Sequence, residues 1–277
     1  MPGRWPRVKG FRPLGSLSPC SRLRSGCCHW KWRGGFRPPK AMPIFRVNGK
    51  NIYFAHVPKC GGTTLEHNLL CLGVRVSFLD VEYYNLGRDR WSVTSPQHIS
   101  RRYLDRYFHD GFFDYGFTVL RDPVERFVSA FNFKRGSIGW FVGFDRFLSS
   151  LERAVARNGC FPQGLHDNHF LPANELVPEG AEVFYLRDGL LAVFRALEAR
   201  LELAPIEAIA TQNAGKYADF GAKSRLHKLV KDLTVKPSPR VKDLTPDQVA
   251  RIRSLYAADY ARFFDTQAIT LKAAASA

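Results

Sequence analysis

Apolar positions along this chain fall into short runs of strand length and longer stripes of helical spacing, and from residue 51 onward the two alternate. Residues 51–57 are a mostly apolar run, followed by a glycine-containing turn and then by Leu65, Leu69 and Leu70 at helical intervals. Residues 116–120 form a second such run. Behind it Val124, Phe127, Val128 and Phe131 recur at i, i+3, i+4 and i+7, a stripe that predicts one buried helix face. Residues 144–158 keep helical spacing through Phe147, Leu148, Leu151 and Val155. Residues 182–186 read as a third strand and 189–203 as the helix after it. A last helix opens at Thr245, with Gln248 completing a capping box, and carries Val249, Ile252, Tyr256, Tyr260 and Phe263 on one face. Strand–helix alternation of this kind predicts an α/β domain over residues 42–277. Residues 211–243 are polar and basic, and Lys236, Arg240 and Lys242 around Pro237 and Pro239 predict a loop.

Residues 1–41 have no such periodicity. They hold ten basic side chains and no acidic one, so the formal charge of +16 for the 277 residues falls to +6 for the remainder. A Gly-, Pro- and Arg-rich leader of this kind predicts disorder. The preferred reading makes Met42 the native start. An organelle transit peptide is the second reading, since the leader is Arg-rich and acid-free. Cys20, Cys27, Cys28 and His29 lack the paired spacing of a zinc site. A moderately basic body suits an anionic ligand without requiring nucleic acid. Cys60, Cys71 and Cys160 are too few and too scattered for a disulfide framework and read as reduced thiols. No stretch reaches the length of a membrane span, and the leader has no secretory h-region, so a cytoplasmic setting is expected.

Two segments carry candidate chemistry. Pro58-Lys59-Cys60-Gly61-Gly62-Thr63-Thr64-Leu65-Glu66 joins the first strand to its helix. Glycines there let the backbone turn tightly against a ligand, and Thr63 with Glu66 reads as a capping box. Main-chain N–H groups at a helix start, with Lys59 at the mouth, favour a phosphate. The lysine precedes the glycines, so this is not the P-loop of nucleotide-hydrolysing enzymes. In the second segment Arg121 ends a strand. Asp122, Pro123 and Glu125 then read as N-cap, first helical residue and capping-box partner, and Ser129 lies two turns on. A guanidinium at that position can grip a phosphate through two parallel hydrogen bonds.

The first of these segments resembles the 5′-phosphosulfate loop of sulfotransferases that use 3′-phosphoadenylyl sulfate (PAPS). Residues 120–131 resemble the same family's 3′-phosphate motif. The nearest branch is the carbohydrate group that includes heparan sulfate 2-O- and 6-O- and chondroitin sulfotransferases. The resemblance spans roughly residues 50–265. It implies a P-loop-like parallel sheet flanked by helices. It also implies PAPS as co-substrate, no metal, and a hydroxyl-bearing acceptor, a glycan in that branch. By the same resemblance Lys59 binds the 5′-phosphosulfate, Gly61, Gly62, Thr63 and Thr64 wrap the 5′-phosphate, and Arg121 and Ser129 hold the 3′-phosphate. Cys60 reads as a small packed thiol. Animal members of the family usually carry a Golgi membrane anchor, which this chain lacks.

Sulfuryl transfer needs a base for the acceptor hydroxyl, and an imidazole has a suitable pKa. Of eight histidines, His98 in the segment 95–100 has the best context, a polar loop between the two phosphate segments where the family also places a histidine. His166 and His169 lie in a segment that resembles one near the family's acceptor cleft, and they are the expected acceptor contacts. His56, inside the first strand, reads as structural. A small-molecule kinase of the P-loop type is the competing enzyme, but it requires a GxxxxGK[ST] segment that the chain lacks. A basic module that binds anionic glycans is the non-enzymatic alternative; it requires a broad charge stripe, whereas most of the surplus charge lies in the leader. N-terminal sequencing of the native protein tests the start site. It is expected to begin at Met42, and any peptide from residues 1–41 rejects that reading.

Overall fold

The computed structural model describes residues 41–79, 90, 92–211 and 238–265. The chain divides between Arg37 and Pro38, and everything described belongs to the second unit. The leader's cysteines and His29 therefore lie outside the described residues, as do His227, Lys236 and Pro237.

The expected strands at 51–57, 116–120 and 182–186 form as β2 (Lys50–Ala55), β4 (Tyr115–Leu120) and β5 (Glu182–Tyr185). β2 pairs with β4 and β4 with β5, both in parallel. The sheet is mixed, however, because β1 (Ala41–Val47) lies antiparallel to β2 and to β3 (Val76–Leu79), giving the order β3-β1-β2-β4-β5. The hairpin from β1 to β2 turns on Asn48 and Gly49, both at positive φ (48° and 81°), the pairing that two-residue hairpins favour. That Asn-Gly dipeptide was a sign of β1 in the sequence.

Strand alternation divides the core in two. Phe45, Ile52, Phe54, Phe117 and Val119 face α1 (Gly62–Cys71) and α7 (Leu190–Leu201). Ile44, Tyr53, Ala55 and Leu120 face α3 (Pro123–Phe133) and α5 (Phe144–Asn158). The predicted stripe of Val124, Phe127, Val128 and Phe131 is wholly buried. Three shorter helices complete the framework, α2 (Arg101–Tyr107), α4 (Arg135–Ile138) and α6 (Ala173–Leu176). The helix α8 (Pro246–Leu255) has the Thr245–Gln248 capping box expected of it but ends at Tyr256, and a short helical turn (Ala257–Asp259) and a π-helix (Tyr260–Phe264) carry the chain on through Phe263. The expected basic loop is described only from residue 238, where Val241–Asp243 forms a 3-10 turn. Among the described residues no helix is long and apolar enough to cross a membrane.

Two expected caps are absent. α1 starts two residues earlier than the sequence suggested, with Gly61 as N-cap at φ 88°, so Thr63 is already helical and caps nothing. Glu66 does not return to the helix start; its carboxylate accepts a hydrogen bond from His56 Nδ1 at 2.6 Å, both side chains being buried. At α3, Asp122 caps as expected, accepting from the N–H groups of Val124 and Glu125. Glu125 turns instead to Arg121, 2.8 Å away. In both cases a cation or imidazole nearby outcompetes one backbone N–H for the carboxylate.

One buried charge ties the second half of the site to the first. Arg126 of α3 is 2% exposed and donates to the carbonyls of His169 (3.2 Å) and Leu171 (2.9 Å). Asp259 lies 3.9 Å from the guanidinium and accepts from the N–H groups of Ala173 and Asn174, both at 2.8 Å. Removing one member leaves the others buried without a counterpart. Arg126→Ala is therefore expected to destabilise the fold by about 3–5 kcal/mol, measured as a shift in the denaturation midpoint at constant m.

Candidate active site

Two glycines shape the turn from β2 into α1. Lys59 and Gly61 both take positive φ, 69° and 88°. A Cβ on Gly62 would fall 2.5 Å from His56 Nε2, so only glycine lets the imidazole pack beneath the loop. The N-cap residue of α1 makes no side-chain hydrogen bond, and its first turn holds no acidic residue. The positive end of α1 is thus left uncapped by side chains, beside Lys59. The start of α3 differs, because Asp122 already occupies it. Arg121, partly exposed and paired with Glu125, leads into this helix, and Ser129 is buried on it. Cys60 joins the two elements: its thiol is buried against the Arg121 backbone, and burial pushes its pKa up to about 11. It is a packed, protonated thiol. Cys71 and Cys160 are exposed and also unbridged.

His98 lies in a buried 3-10 turn, Pro96–His98, within the stretch expected to be a polar loop. The reason for the burial is its partner segment, 164–169, which closes over it. Asp167 Oδ2 accepts from His98 Nδ1 at 2.8 Å and from Ser95 Oγ at 3.0 Å, and Asp167 Oδ1 accepts from the Ser95 N–H at 2.6 Å. Asn168 donates to the His98 carbonyl at 2.8 Å. His166, Asp167 and Asn168 all take left-handed backbone (φ 48°, 61° and 56°). Three consecutive non-glycine residues there cost about 1–3 kcal/mol each, and the segment persists because Arg126 and these hydrogen bonds hold it.

His56, His98 and His169 meet edge to face, with ring centres 5.2 Å and 4.9 Å apart. His169 also packs on Phe133, whose ring carries Lys59 Nζ 3.8 Å above its centre. Lys134 approaches Asp167 to 4.0 Å. Lys59, His98, His56 and Lys134 act electrostatically on His169. His166 stands to one side, its Nδ1 3.0 Å from Ser137 Oγ. Burial lowers the pKa of all three candidate histidines, His98, His166 and His169; for His98, Asp167 partly offsets the effect.

Asp167, Lys134 and Phe133 were missed in the sequence. Asp167 sits between two singled-out histidines, but nothing in the spacing revealed that it would face Ser95 and His98. Ligand atoms of His98, Asp167 and His169 lie within 4.8 Å of one another, close enough to consider a metal ion. The 2.8 Å contact between His98 and Asp167 is a hydrogen bond, which occupies atoms that a metal would take. At the opposite edge of the sheet a cleft of about 350 Å³ opens beside Tyr53, Phe108, Phe112 and Gly180. It holds none of the predicted site residues and lies at the N-terminal ends of the parallel strands, whereas open α/β sheets bind ligands at the C-terminal ends.

Residues 43–183 match a family model described as "Sulfotransferase family". That span contains the turns that carry Lys59 and Arg121, His98 and the 164–169 segment. No curated protein and no solved structure matches significantly.

Because His98 and His169 are held neutral in the fold, the unfolded chain binds more protons below its own histidine pKa near 6.5. Their contribution is present above that value and is lost as pH falls toward their lower folded pKa. Denaturation midpoints are expected to drop between about pH 7 and about pH 5, by at most about 1.4 kcal/mol per pH unit for each histidine. His169→Gln should flatten that slope; an unchanged slope counts against the assignment.

Proposed function

The chain belongs to the sulfotransferase family, and from that premise we propose that it transfers a sulfuryl group from PAPS to a hydroxyl of a carbohydrate acceptor. The observation that carries the donor half is the N-terminus of α1. It is led by glycines at a positive-φ turn, lacks a side-chain cap and has Lys59 beside it. Such an end is suited to a 5′-phosphosulfate, whose charge takes the place of the missing cap. Gly61 and Gly62 let the phosphate approach the main chain, and Thr63 and Thr64 flank it from the first helical turn. Arg121 and Ser129 hold the 3′-phosphate, since Asp122 has already filled the end of α3. Lys59 and the loop N–H groups stabilise negative charge on the phosphate oxygen released when the S–O bond to the donor breaks.

The acceptor half rests on His98. An ionised carboxylate can only accept, so the hydrogen bond to Asp167 requires the proton on Nδ1 and leaves Nε2 with its lone pair. His98 takes the acceptor's proton as its oxygen attacks sulfur, and binding both substrates together makes the step effectively unimolecular. His166 and His169 contact the acceptor. Fixed cations supply the charge stabilisation, so the reading assigns no metal.

Calorimetric titration with 3′-phosphoadenosine 5′-phosphate, the spent donor, tests this. Wild type is expected to bind one equivalent, and Arg121→Ala to bind at least about 10-fold more weakly, roughly 1.4 kcal/mol. No binding by folded wild type rejects the PAPS assignment.

A further inference from the structure

We propose that Asp167 is a positioning residue for His98, fixing which ring nitrogen carries the proton and where the other one points. The inference rests on the reading of His98 as the base. The carboxylate is built for this task. Oδ1 is taken by the Ser95 N–H (2.6 Å), and Oδ2 is shared by Ser95 Oγ (3.0 Å) and His98 Nδ1 (2.8 Å). Ser95 and His98 lie on one turn, so Asp167 holds the backbone beneath the imidazole and the imidazole itself. Asn168 adds a bond to the His98 carbonyl. Asp167 is held in this position in a turn where it and both neighbours adopt left-handed backbone, an arrangement with a conformational cost.

The titratable groups facing His98 are Asp167, His56 with its own partner Glu66, Lys134 and His169. Of these, Asp167 favours a proton on His98, whereas burial, His56 and Lys134 disfavour one. Without the carboxylate the imidazole would lose both its orientation and most of its capacity to become cationic after accepting a proton. An asparagine cannot replace it. If its oxygen faced Ser95 N–H, its NH₂ would face Nδ1 and demand a lone pair there, moving the proton to Nε2 and leaving no base toward the acceptor.

The test is ¹⁵N NMR of the full chain labelled at histidine, with His98→Gln identifying the resonance. At near-neutral pH wild-type His98 is expected to carry its proton on Nδ1, with a bare Nε2. Asp167→Asn is expected to move that proton to Nε2 and to lower the midpoint of the His98 titration. Wild type with the proton on Nε2 overturns the proposal, and this measurement needs no variant to fold. A folded Asp167→Asn with an unchanged tautomer and midpoint also overturns it, leaving Asp167 only a structural role. The readout needs neither donor nor acceptor, so it is independent of the calorimetric test of the PAPS assignment.

Discussion

Arg126 carries a full charge at 2% exposure, and a charge there is tolerated only if protein groups replace its water. Two main-chain carbonyls and the Asp259 carboxylate do so, and each belongs to a different part of the chain from α3. That requirement ties the 169–174 segment to the helix that begins with Asp122, and ties the C-terminal region to both. The left-handed stretch at 166–168 can then be held in a conformation it would not adopt alone.

Around this anchor, burial and charge act in opposite directions on the same residues. The imidazoles of His98 and His169 are removed from water, and His56 and Lys134 disfavour a proton on both, as Lys59 and His98 do on His169. His56 and His98 each have one carboxylate, Glu66 and Asp167 respectively, from the opposite side. The two carboxylates come from a helix and from a turn that are far apart in sequence, and the three rings pack edge to face between them. A proton arriving on His98 is therefore stabilised at one defined place.

The two helix starts at the same sheet edge divide their roles by how they are capped. α3 satisfies its own N–H groups through Asp122, which suits a structural helix whose stripe fills the core. α1 has glycine there and no acidic residue, which keeps its positive end available. Glu66, which local rules assigned to α1's start, serves His56 instead, and that diversion helps to leave the end uncapped. The Cys60 thiol, raised to about 11 by burial, packs between the two elements as a neutral filler.

The sequence by itself determined the alternation of strands and helices, the stripe from Val124 to Phe131, and the two strand-to-helix turns that carry Lys59 and Arg121. Each rests on local periodicity or on a glycine, proline or cap within a few residues, and such signals survive without knowledge of the fold. It also singled out His98, His166 and His169 as chemically apt. Only the tertiary structure decided which partners they have. Asp167 meets Ser95 and His98 across about seventy residues of chain, and Lys59 meets His169 through Phe133. The antiparallel strands β1 and β3 were likewise left to pairing, despite the Asn48-Gly49 turn. Long-range contacts of this kind follow from which surfaces the packed sheet brings together, and a carboxylate's choice between a nearby N–H and a distant imidazole is made only once burial has set the strength of each.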